Sequence, residues 1–125
     1  MDDITTIIHN FLIFQTTLKI YHWQTRSFAR HKATDDLHSS ISGNIDKFTE
    51  TIQGNRDKRI KFTNKCNIKL INVSDSDGKK ILVEFKKWLE NDLPILIRKD
   101  ETDLINIRDE ILGDVNKTLY LFTLE

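Results

Sequence analysis

The residues best suited to bind a metal or take part in a reaction lie between positions 31 and 50. His31, Asp35, Asp46 and Glu50 follow one another at intervals of 4, 11 and 4 residues. Each residue of an α-helix turns the chain by about 100°, so these intervals place the four side chains within an arc of about 100°. One imidazole and three carboxylates on one helix face form a ligand set that suits iron, and also manganese or zinc.

The helix that carries this face is predicted to run from about Phe28 to Gln53. Ser27 suits its N-cap, and Gly54 suits the position just after its end. Its apolar residues recur every three or four positions and lie nearly opposite the ligand face; they are Leu37, Ile41, Ile45, Phe48 and Ile52. One face can therefore enter a core while the other presents ligands.

Between the two pairs of ligand residues, the same face carries the small residues Ser39, Ser42 and Gly43. Small side chains let a second helix approach closely. If two copies pack antiparallel about a two-fold axis, the His31 end of one helix meets the Asp46 end of the other. The sequence therefore predicts at least a homodimer, with two equivalent sites shared between chains.

His22 is a fifth candidate ligand, near the end of a first predicted helix. It falls in line with the apolar residues of that helix, and a short turn from Gln24 to Arg26 would bring it beside His31. The predicted metal ligands are then three residues from one chain and two from its partner, namely His22, His31 and Asp35 with Asp46 and Glu50.

The remaining elements predict an all-α fold in a single domain spanning residues 1–125. One Pro and four Gly in 125 residues favour long helices. The other helices are predicted at about 3–23, 79–91 and 102–123, with Asp77 as a candidate cap and Pro94 ending or kinking the third. Residues 54–78 are predicted to form an irregular or short-stranded crossover, too long for a tight hairpin.

Composition restricts the classes of function. Lys+Arg and Asp+Glu both number 19, so no bulk attraction to nucleic acid is expected. The single cysteine, Cys66, fits a reducing compartment. No signal peptide and no apolar stretch of membrane-spanning length is recognised, which predicts a cytoplasmic protein without membrane contact.

The run His22-Trp23, His31-Lys-Ala-Thr-Asp35 and Asp46-Lys-Phe-Thr-Glu50 resembles the ferroxidase motif of Dps-like ferritins. The resemblance covers residues 1–53, and the local sequence there is also similar to that of Dps-like proteins of phages and large DNA viruses. It implies a ferritin-like four-helix bundle in which the five residues are ligands of a di-iron site across a dimer interface. Peroxide or dioxygen would oxidise the iron there.

The chain departs from that family in several ways. The interval from His22 to His31 is nine residues, shorter than the family's usual spacing, and the connection at 54–78 must replace the family's short crossover helix. The resemblance also raises a closed shell and DNA binding as expectations, which chain length and net charge do not support. The alternative is a non-catalytic helical homo-oligomer with a vestigial metal site, in which the basic crossover is the contact surface.

Overall fold

A computed structural model describes residues 2–124, and within that range it contains helices and loops but no β-strand. Helix α1 (Asp3–Gln24) and helix α2 (Phe28–Arg56) are followed by the crossover. Helix α3 (Asp75–Lys87) continues through a π-helical turn (Trp88–Asp92) into the short α4 (Leu93–Leu96), and α5 (Thr102–Leu121) follows. The all-α prediction is confirmed, and the crossover takes the irregular form of the two that were predicted.

The order of the helices in space follows from contacts at their ends. α2 runs antiparallel to α5, since Ser40 near the middle of α2 bonds Asp114, whereas Asn55 near the end of α2 bonds Asp103 near the start of α5. α3 begins beside the end of α1, where Tyr21 donates to Asp75, and α4 ends beside the end of α2. α2 and α3 are therefore parallel. An up–down–down–up bundle with a single long crossover is the ferritin-like topology, as expected.

The core is formed by the predicted apolar stripes. All five apolar residues predicted for α2 are buried. Phe11 of α1 lies at the centre, where its ring packs edge-on against Phe48, Phe85 and Trp88. On α5 the buried residues are Leu104, Ile107, Ile111, Val115 and Thr118, and Phe122 is buried just after the helix. The apolar face of α2 thus packs against α1 and α5, and its polar face points outward.

The helix ends are partly as predicted. The side chain of Ser27 caps α2 by accepting from the Arg30 N–H at 3.2 Å, and the prediction is confirmed. The prediction of Gly54 as the residue after α2 is wrong, because the helix continues to Arg56. It ends at Asp57, which takes the left-handed conformation at φ 47° and whose N–H bonds the carbonyl of Gly54. Asp tolerates this conformation better than most residues, so glycine is not required there.

The predicted start of the third helix at Lys79 is also wrong. α3 begins at Asp75, because Ser74 rather than Asp77 provides the cap and accepts from the Asp77 N–H at 3.2 Å. Pro94 does not end the rod, which passes through the π turn and reaches Leu96. Proline fits the first turn of the short α4 because an N–H is not needed at that position.

A buried ion pair closes the lower end of the bundle. Arg56 bonds Glu101 at 2.8 Å and also donates to the carbonyl of Leu96 at 3.1 Å. Glu101 accepts in addition from the Arg98 N–H at 2.7 Å. These hydrogen bonds, above all the one from Arg56, hold the pKa of Glu101 below its usual range. The pair joins α2, α4 and α5 at one point.

We predict that Glu101→Gln makes the free energy of unfolding less dependent on pH. A carboxyl whose pKa is lowered on folding contributes stability above its unfolded pKa and loses it as pH falls through the folded pKa. The wild type should therefore lose stability below about pH 4.3, and the variant should lose less. Urea unfolding at pH 3.5 and 7 measures the difference. Equal pH dependence of the two proteins would contradict a stabilising role for the pair.

We predict that Gly78→Ala destabilises the protein, by about 1–3 kcal/mol as is usual for overpacking. A Cβ at Gly78 would overlap the ring of Tyr21, which is fully buried. Gly113→Ala is the matched control, since no atom lies within 4 Å of its Cβ position on α5. It should stabilise the helix by about 0.5–1 kcal/mol. Thermal unfolding separates the two variants, and a neutral Gly78→Ala would contradict the close approach.

Candidate metal centre

His22 and His31 lie side by side at the upper end of the bundle. α1 ends at Gln24 and α2 begins at Phe28, so only three residues connect them. This short turn brings the two imidazole rings into a stack, with centroids 4.0 Å apart and planes inclined by 16°. The prediction that the turn returns His22 to the side of His31 is confirmed.

Each histidine is held by the backbone of the other. Nδ1 of His22 lies 2.8 Å from the carbonyl oxygen of His31, and Nδ1 of His31 lies 2.9 Å from the carbonyl oxygen of His22. A carbonyl oxygen only accepts, so both Nδ1 atoms carry the proton. In the neutral form each Nε2 then has a free lone pair, which is the arrangement that metal-binding histidines use.

The two imidazoles differ in exposure. His22 is 6% exposed and its Nδ1 also lies 3.1 Å from the hydroxyl of Thr34, which is fully buried. That hydroxyl donates to the carbonyl of Arg30 at 2.7 Å. His31 is exposed at the surface of α2. The site therefore has one rigid, enclosed ligand and one ligand that faces outward.

Asp35 is the carboxylate beside this pair. Its Oδ1 lies 3.9 Å from Nε2 of His22, and its side chain is 61% exposed. The free nitrogen of His22 thus points to an open carboxylate. His22, His31 and Asp35 are the three predicted ligands that the fold brings to one end of α2.

Asp46 and Glu50 are exposed on the same uninterrupted helix. Asp46 is 11 residues beyond Asp35, a rise of about 16 Å along the axis. The structure therefore does not bring these two carboxylates to the histidines of their own chain. Within residues 2–124, no three His, Cys, Asp or Glu side chains lie close enough together to hold a metal ion.

The middle of this face is sparsely covered. Gly43 is exposed, with nothing within 4 Å of its Cβ position, and Ser39 is exposed as well. Ser42 lies further toward α1, where its hydroxyl accepts from the side chain of Gln15 at 2.7 Å. Ser39 and Gly43 are thus the small residues that leave room for a second helix.

Comparison with known protein families gives one match, to a model that covers residues 22–122. The chain belongs to the DUF5856 family, a family of unknown function. The matched region contains all five candidate ligands and begins at His22. No significant match was found among curated proteins or among solved structures. No helix of this DUF5856 protein within residues 2–124 is long and apolar enough to cross a membrane.

Sequence reasoning missed the polar network next to the histidine pair, which joins Tyr21, Arg30 and Asp75. The hydroxyl of Tyr21, whose pKa burial raises, donates to Asp75 at 2.8 Å, and Arg30 donates to Tyr21 at 2.8 Å. Hydrogen bonds from Thr25 and Tyr21 lower the pKa of Asp75. The available signal in the sequence was adjacency to the candidate ligands, since Tyr21 directly precedes His22 and Arg30 directly precedes His31.

His38 lies on α2 next to Ser39. It is half-buried in a groove with Trp23 and Leu70, and burial, followed by the charge of Lys19, lowers its pKa. His38 therefore belongs to the edge of the exposed face of α2.

We predict that the DUF5856 protein carries His22 and His31 as Nδ1–H tautomers at pH 8.5, where ordinary imidazoles are neutral. A long-range ¹H–¹⁵N spectrum distinguishes the tautomers. His9 is an internal control of the opposite kind, since its Nε2 lies 3.3 Å from the carbonyl oxygen of Asn67 and must donate. An Nε2 proton on His22 or His31 would rule out the lone pairs on which metal binding depends.

Proposed function

We propose that this protein oxidises Fe(II) at a dinuclear site shared between two copies of the chain, for iron storage or oxidative protection in the cytoplasm. The proposal follows the resemblance of residues 22–50 to Dps-like ferritins. Its support in the structure is the histidine pair, in which both Nδ1 atoms donate to carbonyl oxygens and Nε2 of His22 lies 3.9 Å from Asp35. The helix that carries His31 and Asp35 near its start also carries Asp46 and Glu50 toward its other end.

The continuity of α2 supports a shared site. The helix runs without a break from Phe28 to Arg56, so Asp35 and Asp46 keep the common direction that their spacing predicts. A second copy packed antiparallel on this face would place its Asp46 and Glu50 against the histidine end of the first. Two complete sites would form at once, each with two imidazoles and three carboxylates.

The donor set suits iron in both oxidation states. Imidazole nitrogen and carboxylate oxygen bind Fe(II), and the negative charge of the carboxylates favours the more highly charged Fe(III) product. Two Fe(II) ions lose one electron each. Hydrogen peroxide accepts both electrons and two protons to give two water molecules, or dioxygen accepts them to give hydrogen peroxide. Manganese or zinc would occupy the same ligands without this turnover.

We predict that the wild type accelerates the growth of ferric absorbance after addition of a ferrous salt, and that His31→Ala and Asp46→Ala return the rate to that of buffer. The control is Asp36→Ala, which removes an exposed carboxylate next to Asp35 but outside the ligand face. Its rate should equal that of the wild type. Equal rates in all four proteins would remove the enzymatic function and leave the non-catalytic homo-oligomer.

Mixing two inactive variants tests whether the site is shared. His31→Ala/Asp35→Ala removes one end of α2, and Asp46→Ala/Glu50→Ala removes the other. In a dimer of the two variants one site lacks all four ligands and the other is intact. Random reassociation makes half of the dimers mixed, so co-refolding should restore about one quarter of the wild-type rate. Activity that stays at the level of the separate variants would contradict an intersubunit site.

A further inference from the structure

Part of the crossover, Asn67–Val73, runs alongside α1 as an extended segment. The carbonyl of Asn67 contacts His9 at 3.3 Å, and the side chain of Gln24 bonds Asn72 at 2.9 Å and the Val73 N–H at 2.7 Å. His9 and Gln24 are separated by about 22 Å of helix. Six residues span at most about 20–22 Å when fully extended. The segment must therefore be nearly straight, and it contains no turn or bend.

The side chains of this segment are those of a β-strand. It reads Asn-Ile-Lys-Leu-Ile-Asn-Val, in which apolar and β-branched residues predominate. Val73 is buried and fixes the segment to the core, whereas Leu70 is 76% exposed and Ile71 is 49% exposed. Such residues are usually covered by a neighbouring strand, and residues 2–124 contain no strand that could do so.

The main chain of the segment is unpaired. Within the described part of the chain, residues 68–72 neither donate nor accept a main-chain hydrogen bond. An extended run of free N–H and C=O groups with exposed apolar side chains is a template for pairing with another strand. α1 covers one side of the segment, and its outer edge is open.

We propose that residues 67–73 pair antiparallel with the same residues of a second copy, giving a two-stranded β-ribbon across a two-fold axis. Self-pairing suits a two-fold interface because each strand offers the same donors and acceptors to the other. The position of the segment supports a second copy as the occupant. Leu70 lines one groove with Trp23 of α1 and His38 of α2, so the ribbon is continuous with the exposed face of α2.

Charge restricts the register. A two-fold antiparallel ribbon places one residue directly opposite its own copy, and like charges in that position repel. Centring on Lys69 would oppose two ammonium groups. Centring on Leu70 opposes two exposed leucines and places Lys69 across from the partner's Ile71. Leu70 is also the midpoint of residues 67–73, so this register pairs the whole segment, and it is the one we propose.

The ribbon deepens the proposed function by supplying the second copy that the shared site needs. It rests on main-chain groups and on Leu70, none of which is a candidate ligand. The two ideas therefore fail separately: a ribbon in a protein without iron oxidation would overturn the proposed function alone.

Disulfide formation tests the register. Directly opposed Cβ atoms in an antiparallel pair lie about 4.5–5.5 Å apart, close enough for a disulfide after a small adjustment. In a Cys66→Ser background, Leu70→Cys should give a disulfide-linked dimer within minutes of mild oxidation. The control is Ile95→Cys in the same background, at a position on α4 that is 81% exposed. Equal, slow cross-linking of both variants would overturn the proposed register.

Amide exchange tests the pairing itself. Sedimentation of the wild type should give twice the chain mass of 14.7 kDa. Under those conditions alternate amides in residues 68–72 should exchange slowly, because every second N–H of a paired strand points to its neighbour. Dilution to monomer should remove the protection. A monomer at all concentrations, or a dimer in which these amides exchange freely, would overturn the ribbon.

Discussion

The exchange of hydrogen bonds between His22 and His31 is the constraint on which the rest of the structure depends. Each imidazole is oriented by the backbone of the helix opposite, so neither ring can turn without losing a bond to a carbonyl that faces it. The three-residue turn makes this exchange possible because it keeps the two helix ends at hydrogen-bonding distance. Structural stability and ligand orientation are therefore provided by the same four atoms, and one arrangement serves both.

α2 extends from the histidine pair along the length of the bundle. Its buried side packs on α1 and α5, and its outer side keeps an open strip past Ser39 and Gly43. The strip has its nitrogen ligands at one end and two of its carboxylates toward the other. A single chain offers half of a site at each end, so the proposed chemistry requires a second copy of the chain.

Much of this could be predicted from the sequence. On an uninterrupted helix the sequence spacing of residues determines which face each one occupies. The outward positions of Asp35, Asp46 and Glu50 on α2 were therefore predictable. The end of α2 was not, because Asp57 adopts a left-handed conformation that glycine more often takes. The start of α3 depended on a choice between Ser74 and Asp77 as the cap, which only the path of the crossover decides. The hydrogen bonds that join Tyr21 and Arg30 to Asp75 were not predictable either, because Asp75 is distant in sequence.

The π-helical turn before Pro94 determines which change of chain length this part of the protein can accept. Leu93 bonds the carbonyl of Trp88, five residues back, so the rod holds one residue more than an α-helix of equal rise. The carbonyl of Leu89 accepts from Arg108 of α5 instead, at 3.1 Å. Deleting one residue from the turn would therefore restore an ordinary α-helix and leave Leu93 close to its place in the core. The rod should therefore tolerate the loss of one residue here, and the main change would be the loss of the Leu89 carbonyl as an acceptor for Arg108.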